Sequence, residues 1–292
     1  MDSTLLIQGL MIGSIYALAG VSINIIYRPT NIFNLAQGNL VMLGAIVCSS
    51  LLGKFGLPWY LAALISLGLG AALSLLTNFV AVAPVLRQRG TGGHGWVVST
   101  LAVSMIIEDL VGKLVGPDPK PLPPPPPFAT RAMWADLQIS SYQVFLIVFV
   151  LLLVAAAESF YRTRQGKAIL AISEDREASL LRGIDPQRLA SLSFVLGGVV
   201  AACAGILAGP ILFASIGMGA TMLIKGFEVA ALGGIGHNRG AIVGGYLLGF
   251  VEILASTTLS PGYQDAASFA TVLLILLLRP QGVFGRNTLR AV

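Results

Sequence analysis

Long apolar stretches separated by short polar segments make up most of this chain. A helix needs about 20 predominantly apolar residues to cross the hydrocarbon core of a bilayer. Stretches near that length occur at residues 5–27, 36–53, 59–84, 96–116, 142–161, 190–213, 221–236, 240–258 and 265–279. We therefore predict an all-α integral membrane protein, a polytopic helical bundle of about eight to nine transmembrane segments.

The stretch 221–236 gives the weakest prediction of a full crossing. It is short, it contains Lys225 and Glu228, and it runs into the glycine-dense sequence GGIGHNRG. Ionisable residues inside a membrane segment are rare, and glycine favours breaks in a helix. This pattern is typical of a broken or re-entrant helix, so the sequence leaves open whether the segment crosses fully.

Composition extends the membrane prediction to the whole chain. Hydrophobic residues make up 55% of the sequence and charged residues only 11%, with a mean hydropathy of +0.84. A soluble domain carries roughly 25% charged residues. We therefore expect residues 1–292 to form a single transmembrane domain with no soluble domain attached.

The basic residues are unevenly distributed along the chain, and their positions predict its orientation. With nine crossings and an external N-terminus, the cytoplasmic segments are 28–35, 85–95, 162–189, 237–239 and 280–292. Counting Arg279 with the last segment, they hold 13 of the 18 Lys and Arg residues. Because positive charge accumulates on the cytoplasmic side, we predict an external N-terminus and a cytoplasmic C-terminus. The net charge of +5 is then a topology signal and indicates no nucleic-acid partner.

The segment 162–190 is a polar island between two apolar stretches, and its sequence predicts a capped cytoplasmic helix. Ser173 or Asp175 is a candidate N-cap, Gly183 fits the position after the last turn, and Pro186 prevents continuation. Three apolar residues give this helix a small face with which it can dock on another protein: Ala178, Leu181 and Ile184.

A proline-rich sequence begins the predicted external loop 117–141. The run from Gly116 to Phe128 contains eight prolines, which excludes a helix or a central strand and favours extended polyproline II structure. Two interpretations stay open: a spacer or contact surface for an extracytoplasmic partner, and a tolerated loop insertion.

Polar side chains at membrane depth are costly, so they are candidates for a translocation pathway. Amide side chains are concentrated around RPTNIFNLAQGN, and they either line the mouth of a pathway or form a helix-capping turn. The candidate pathway residues of this group are Asn24, Asn31, Asn34, Gln37 and Asn39.

The acidic residues of the apolar stretches fall into two classes. Asp109 and Lys113 are i,i+4 neighbours that are expected to neutralise each other, and Lys225 and Glu228 invite the same interpretation. Glu252 has no local partner in the sequence. If it is buried it needs a donor from another helix, and we include it among the candidate pathway residues.

The sequence contains no pattern for catalysis or for a cofactor. The two histidines and two cysteines match no metal-ligand or redox spacing. The nucleophile elbow GxSxG, the zinc motif HExxH and the phosphate-binding loop GxxxxGK[ST] are all absent. We therefore predict no enzymatic activity, no metal and no cofactor, and any ATP-driven work must come from separate subunits.

Three separated motifs resemble the LivH-type permeases, the membrane subunits of ABC importers of the branched-chain amino acid class. They are GLMIGSIYALAGVSINIIYRPTNIFNLAQGNLVMLGA, ISEDREASLLRGID and GFEVAALGGIGHNRGAIVGGYLLGFVEILAS, in this order along nearly the whole chain. The resemblance implies a bacterial inner-membrane subunit without ATPase activity of its own. It implies as partners a second permease subunit, two cytoplasmic ATP-binding subunits and a periplasmic solute-binding protein. The second permease is expected to be of the LivM type, with a homodimer as the less favoured pairing.

In this family the cytoplasmic island is the coupling helix that sits in a cleft of the ATPase subunit. Carried over to this sequence, the resemblance implies ATPase-coupling roles for Glu174, Asp175, Ala178, Leu181, Gly183 and Ile184. The proline-rich run and the turn His237-Asn238-Arg239 depart from the family pattern, and neither lies in the coupling motif.

The expected function is translocation of a small solute delivered by the binding protein. LivH-type systems carry branched-chain or related amino acids, amides, urea or small organic acids, and the sequence does not choose among them. The alternative is a self-sufficient channel or secondary transporter, for which several unpaired ionisable residues at mid-membrane or a filter-like motif are expected.

Overall fold

A computed structural model describes residues 3–87, 95–128 and 140–285. Within these ranges the chain is helical, and the only extended pairing is an isolated bridge between Lys120 and Ala214. The α-helices are α1 (Ser3–Thr30), α2 (Gln37–Phe55), α3 (Trp59–Thr77), α4 (Ala83–Arg87), α5 (Gly95–Val115), α6 (Ser141–Phe160), α7 (Arg164–Glu174), α8 (Arg176–Leu181), α9 (Pro186–Leu212), α10 (Met218–Gly233), α11 (Asn238–Thr258) and α12 (Gln264–Leu278). A π-helical turn, Asn78–Val82, joins α3 to α4.

Seven helical segments within the described ranges are long and apolar enough to cross a membrane. They contain α1, α2, α3, α6, α9, α11 and α12, and this confirms an all-α, multi-pass membrane fold. The predicted count of eight to nine is not confirmed, because α5 and α10 are not among the seven. Helix α10 has 16 residues, so it is about 24 Å long at 1.5 Å per residue, shorter than the hydrocarbon core.

Contacts between helix ends define two opposite faces of the bundle. On the first, which we call the α8 face, Arg28 at the end of α1 donates to the carbonyl of Gly236 and lies over the ring of Tyr161 after α6. On the other, the proline-rich face, Ser49 of α2 and Trp59 of α3 donate to carbonyls of the proline-rich segment. Successive long helices therefore run alternately between these faces.

The same arrangement of helices occurs twice in the chain with inverted direction. Helices α1, α2, α3 and α5 correspond to α9, α10, α11 and α12. The contacts of α1 with α11 and α10 correspond to those of α9 with α3 and α2. Because α1 ends at the α8 face and α9 ends at the proline-rich face, the corresponding helices run in opposite directions, as in the inverted repeats that are common in transporters.

The two halves share one irregular feature, a long helix that ends in a kink before a shorter helix. Proline lies near the end of both long helices, at Pro29 in α1 and Pro210 in α9. The first residues after these two helices, Asn31 and Phe213, have positive φ values of 52° and 59°. The connectors 31–36 and 213–217 then bring the first turns of α2 and α10 together, where an ideal Cβ on Gly38 would lie 2.1 Å from the carbonyl oxygen of Gly219.

Close backbone contact between α1 and α11 holds the core together. A Cβ added at Gly245 would lie 2.6 Å from the carbonyl oxygen of Gly13 and 2.7 Å from the amide nitrogen of Ala17. Small residues four apart allow helix backbones to approach in this way, and packing rather than the hydrophobic effect then stabilises the pair in lipid. The small-residue spacing thus serves packing within this chain.

The described part of the proline-rich segment lies against the bundle. Leu122 is buried among α2, α3 and α9, the backbone of Lys120 pairs with Ala214, and the ring of Phe128 stacks on Phe145 of α6 at 4.2 Å. The remainder of the predicted loop, 129–139, lies outside the described residues. The segment 116–128 therefore packs against the ends of four helices.

Candidate functional site

The polar island between α6 and α9 folds into two short helices, α7 and α8. Helix α7 was not predicted as a separate element. It packs on α1 and α9 through a narrow apolar face that includes Ile169 and Ile172, both buried. Helix α8 packs mainly on α7 and on the start of α9.

Both ends of α8 carry the predicted caps. Asp175 is the N-cap, and its carboxylate accepts from the amide of Ala178 at 3.0 Å. At the other end Gly183 has φ +77°, its amide donates to Leu180, and the amide of Ile184 donates to Ser179. These two bonds form a Schellman motif, which satisfies the last carbonyls of a helix. Of the two predicted N-cap candidates, the structure selects Asp175, while Ser173 lies inside α7.

The end of α8 is an exposed apolar tip on a polar element. Leu181 is 90% exposed and Leu180 is 52% exposed, and Gly183 beside them is also exposed. The predicted docking face through Ala178 and Ile184 is half-buried. The six predicted coupling residues thus lie in one short stretch that runs from Glu174 at the end of α7 through α8 to Ile184. Leu181 and Gly183 are at its exposed tip, and Glu174 and Asp175 are exposed at its start. Leu180 was not predicted, because its exposure follows from the orientation of α8 on α7.

A cavity of about 700 Å³ with mixed polar and apolar walls adjoins this element on the α8 face. Its walls come from the end of α1, from α7, from the turn between α10 and α11, and from the segment after α12. Tyr27, Arg28, Glu174 and His237 are among the lining residues. The cavity thus lies between the start of α8 and the ends of helices from both repeated halves.

The predicted amide residues are divided between two places. Asn34, Gln37 and Asn39 lie where α2 begins inside the protein. The amide of Asn34 donates to Gln37, that of Gln37 donates to the carbonyl of Gly197 in α9 at 3.0 Å, and that of Asn39 donates to Ser104 of α5. All three are buried. They fasten the irregular backbone before α2, and inside a membrane such backbone is tolerated only within protein or beside water.

The other two amides lie at the α8 face. The side chain of Asn24 accepts from the amide of Gly236 and donates to the carbonyl of His237, so it fixes the turn before α11. Asn31 is exposed and lines the cavity on the α8 face. The structure therefore does not bring all five amides into one site.

Glu252 lies in a buried ionic cluster that joins four helices. Lys225 of α10 contacts Glu252 of α11 at 2.7 Å, Asp265 of α12 at 2.8 Å and Glu228 at 3.5 Å. The hydroxyl of Tyr16 in α1 donates to Glu252 at 2.7 Å. Lys225 and Glu252 are almost completely buried. Glu252 therefore has two donors from other helices, the ammonium group of Lys225 and the hydroxyl of Tyr16.

Sequence reasoning treated Lys225 as the local partner of Glu228 and missed its contacts across helices. The spacing i,i+3 gave that single pairing, while the contacts with Glu252 and Asp265 depend on how α10, α11 and α12 pack. The predicted pair of Asp109 and Lys113 is present at 2.7 Å. Its helix, α5, also carries Glu108, which is exposed.

Comparisons with known families and proteins give consistent results. Residues 5–278 match the family described as "Branched-chain amino acid transport system / permease component". The chain is 30% identical to the LivH permease protein of the high-affinity branched-chain amino acid transport system of Escherichia coli, over 98% of this chain and 96% of that protein. It is 31% identical to the BraD permease protein of Pseudomonas aeruginosa, over 98% and 97% of the two chains.

A more distant relative and one solved structure also match. A probable branched-chain amino acid transport permease protein of Methanocaldococcus jannaschii is 27% identical over 96% of this chain and 92% of its own length. The structure described as PsaBC from Streptococcus pneumoniae in complex with Fab aligns with a TM-score of 0.49 and 10% identity, covering 95% of this chain and 92% of that one.

Proposed function

The chain belongs to the family of branched-chain amino acid transport permeases, and from that membership we propose that it is the membrane-spanning permease subunit of an ABC importer. It forms the translocation pathway for a small solute that a periplasmic binding protein delivers. The names of the relatives favour branched-chain or related amino acids as the solute. Amides, urea and small organic acids are the other solute classes to be tested.

The observation that carries the coupling role is the exposed tip of α8. A capped helix with two exposed leucines on a polar element has the form of a docking surface, because burial of those side chains against a partner is favourable. We propose that this tip binds a cytoplasmic ATP-binding subunit, with two such subunits in the complex. In that assembly Glu174 and Asp175 contribute charge, and Leu181, Ile184 and Ala178 contribute apolar contact.

Movement of α8 is transmitted to the membrane through the helices that α7 and α8 contact. Helix α7 packs on α1 and α9, and α9 packs in turn on α2 and α3. When the ATP-binding subunits close, displacement of α8 therefore acts on the contact between the two inverted halves. The permease supplies no chemistry in this mechanism and converts a docking displacement into alternating access.

The pathway is proposed to pass near the first turns of α2 and α10, where irregular backbone lies at membrane depth. Asn34, Gln37 and Asn39 hold one side of this region. Asn24 and Asn31 are proposed to act at the mouth on the α8 face, and Glu252 through the ionic cluster. The α8 face is then cytoplasmic, with the C-terminus, and the proline-rich face is periplasmic, with the N-terminus.

The proposed assembly lies in a bacterial inner membrane and contains a second permease subunit, preferably a LivM-type heterodimer partner rather than a second copy. The 1–292 chain is proposed to be one transmembrane domain within it. The alternative of a self-sufficient channel or secondary transporter predicts unpaired ionisable residues at mid-membrane. The candidate that the sequence offered for it, Glu252, has two partners in this structure, which supports the importer.

Reconstitution separates the importer from the self-sufficient transporter. We expect proteoliposomes that contain both permeases, the ATP-binding subunits and the binding protein to accumulate radiolabelled leucine, isoleucine or valine only when ATP is supplied on the ATPase side. Liposomes with this chain alone should show no solute flux. Flux through this chain alone, independent of ATP and binding protein, would overturn the proposal.

A further inference from the structure

Helix α5 is one of the long helices that this chain leaves incompletely covered. Only three of its 21 residues are buried: Thr100, Ile107 and Val111. It begins beside the end of α3, where Ser99 donates to the carbonyl of Ala81, and it ends before the proline-rich segment. Helix α5 therefore runs from one face of the bundle to the other with most of its surface free of contacts within the described chain.

The uncovered surface of α5 carries charge. Glu108 and Asp109 are exposed and lie about 9–11 Å from the end of the helix at 1.5 Å per residue. Asp109 is neutralised by Lys113 at 2.7 Å, whereas Glu108 has no ion-pair or hydrogen-bond partner within the described residues. A carboxylate at this depth is costly against lipid and normally faces a protein interior or water.

The other uncovered membrane surfaces of the chain differ from this one. Between its ends α6 exposes apolar side chains, including Val148 and Leu152, and α12 exposes leucines over its second half. Such surfaces are compatible with lipid tails. The exposed charge on α5 therefore distinguishes it from α6 and α12, whose exposed side chains in these regions are apolar.

Contacts along one ridge of α5 place Glu108 beside the kinked connections of both halves. Ser104 is bonded to Asn39 in the first turn of α2. An added Cβ at Gly112 would lie 3.4 Å from the side chain of Ile216, in the connector to α10. Because Ser104, Glu108 and Gly112 are four residues apart, they form a single ridge, and Glu108 lies between these two contacts.

We propose that the Glu108 side of α5, the surface formed by Leu101, Met105 and Glu108, is the contact surface for the second permease subunit. This inference rests on the proposed function, since it needs a paired permease. The chemistry of the occupant follows from the surface: a membrane helix with apolar side chains opposite Leu101 and Met105 and a basic or amide donor opposite Glu108. Such a donor replaces the partner that Glu108 lacks within its own chain.

Site-specific photocrosslinking tests this assignment in the complete complex. A benzoylphenylalanine at Met105, which is 64% exposed, is compared with one at Leu152 of α6, which is 65% exposed. We expect Met105 to crosslink to a permease subunit and Leu152 to give at least about tenfold less product. The mass of the product tells whether the partner is a different permease or a second copy. Equal yields at both positions, or no permease adduct at Met105, would refute the interface.

Two substitutions test the role of Glu108 itself. Glu108→Leu should lower the amount of partner permease that copurifies by at least about fivefold, while Glu108→Gln, which retains a hydrogen-bonding group, should lower it less. Unchanged recovery with Glu108→Leu would contradict the pairing. ATP-dependent uptake by the unsubstituted complex is measured in parallel, so failure of the interface is distinguished from failure of the proposed function.

Discussion

At the residue scale, Gly183 determines how α8, the proposed coupling helix, ends. Its φ of +77° lies in the left-handed region, which a β-branched residue enters at a cost of about 1–2 kcal/mol. An added Cβ would meet no atom within 4 Å. The requirement for glycine is therefore conformational and not steric.

Gly183→Val should leave the protein inserted and paired but weaken ATPase binding or uncouple ATP hydrolysis from uptake. Gly183→Asn is the matched control, because asparagine tolerates the left-handed conformation better than valine. We expect ATPase copurification and uptake to be highest with glycine at position 183, lower with asparagine and lowest with valine. Wild-type coupling with Gly183→Val would remove α8 from the coupling mechanism.

Lys225 is the second residue whose role depends on its surroundings. It is the shared cation of Glu252, Glu228 and Asp265, and two of those carboxylates are buried. Removing one member of a buried ionic group leaves an uncompensated charge, which costs about 3–5 kcal/mol. Loss of Lys225 should therefore destabilise the protein more than neutralisation of one carboxylate of the cluster does.

Lys225→Met should strongly lower the melting temperature of the detergent-purified protein. Glu252→Gln should lower the melting temperature less and should retain assembly, because glutamine still accepts from the Tyr16 hydroxyl. We expect transport to be altered in this variant. Thermal unfolding and substrate-dependent uptake are measured on both variants. Equal melting temperatures would contradict the central position of Lys225, and unchanged transport with Glu252→Gln would leave Glu252 with a structural role only.

At the scale of elements, the contact of α1 with α11 is the close helix pair that small residues make possible. A side chain at Gly245 would have to displace backbone atoms of Gly13 and Ala17, and backbone within a packed bundle cannot move cheaply. Gly68 of α3, in contrast, has no atom within 4 Å of an added Cβ.

Gly245→Leu should therefore give aggregated rather than monodisperse protein, while Gly68→Leu should behave like the wild type. Fluorescence-detected size-exclusion chromatography of membrane extracts measures both. A monodisperse Gly245→Leu protein with unchanged thermal stability would show that α1 and α11 do not pack as described.

Individual elements were predictable where the signal lies in adjacent residues. Apolar length marked every long helix, and the cap of α8 followed from Asp175 and Gly183, since these act through the local backbone. The separation of α7 from α8 was not predicted, because the break at Asp175 leaves the helical propensity on either side unchanged. The contacts of Glu252 with Tyr16 and Lys225 were not predictable either, since they join residues brought together only by packing.

At the scale of the whole molecule, the inverted halves and the two faces predict a pattern of accessibility. Asp118 in the proline-rich segment and Leu181 at the tip of α8 are both exposed and lie on opposite faces. The native Cys48 and Cys203 are buried, so they give little background. The distribution of basic residues predicts that the α8 face is cytoplasmic.

Cysteine at Asp118 should therefore react with an impermeant thiol reagent on intact spheroplasts, and cysteine at Leu181 only after permeabilisation. Asp118 serves as the control for reagent access. Labelling of Leu181 from outside would invert the orientation and place the coupling element on the wrong side for ATPase subunits.

The central claim is that a permease without chemistry of its own is driven through α8. The most direct measurement is photocrosslinking from benzoylphenylalanine at Leu181, the 90% exposed leucine of the tip, in membranes that contain the whole complex, with the same group at Asp118 as control. We predict an adduct with the ATP-binding subunit from Leu181, with a yield that changes when ATP is added, and none from Asp118. Absence of an ATPase adduct from Leu181 in complexes that transport normally would contradict the claim.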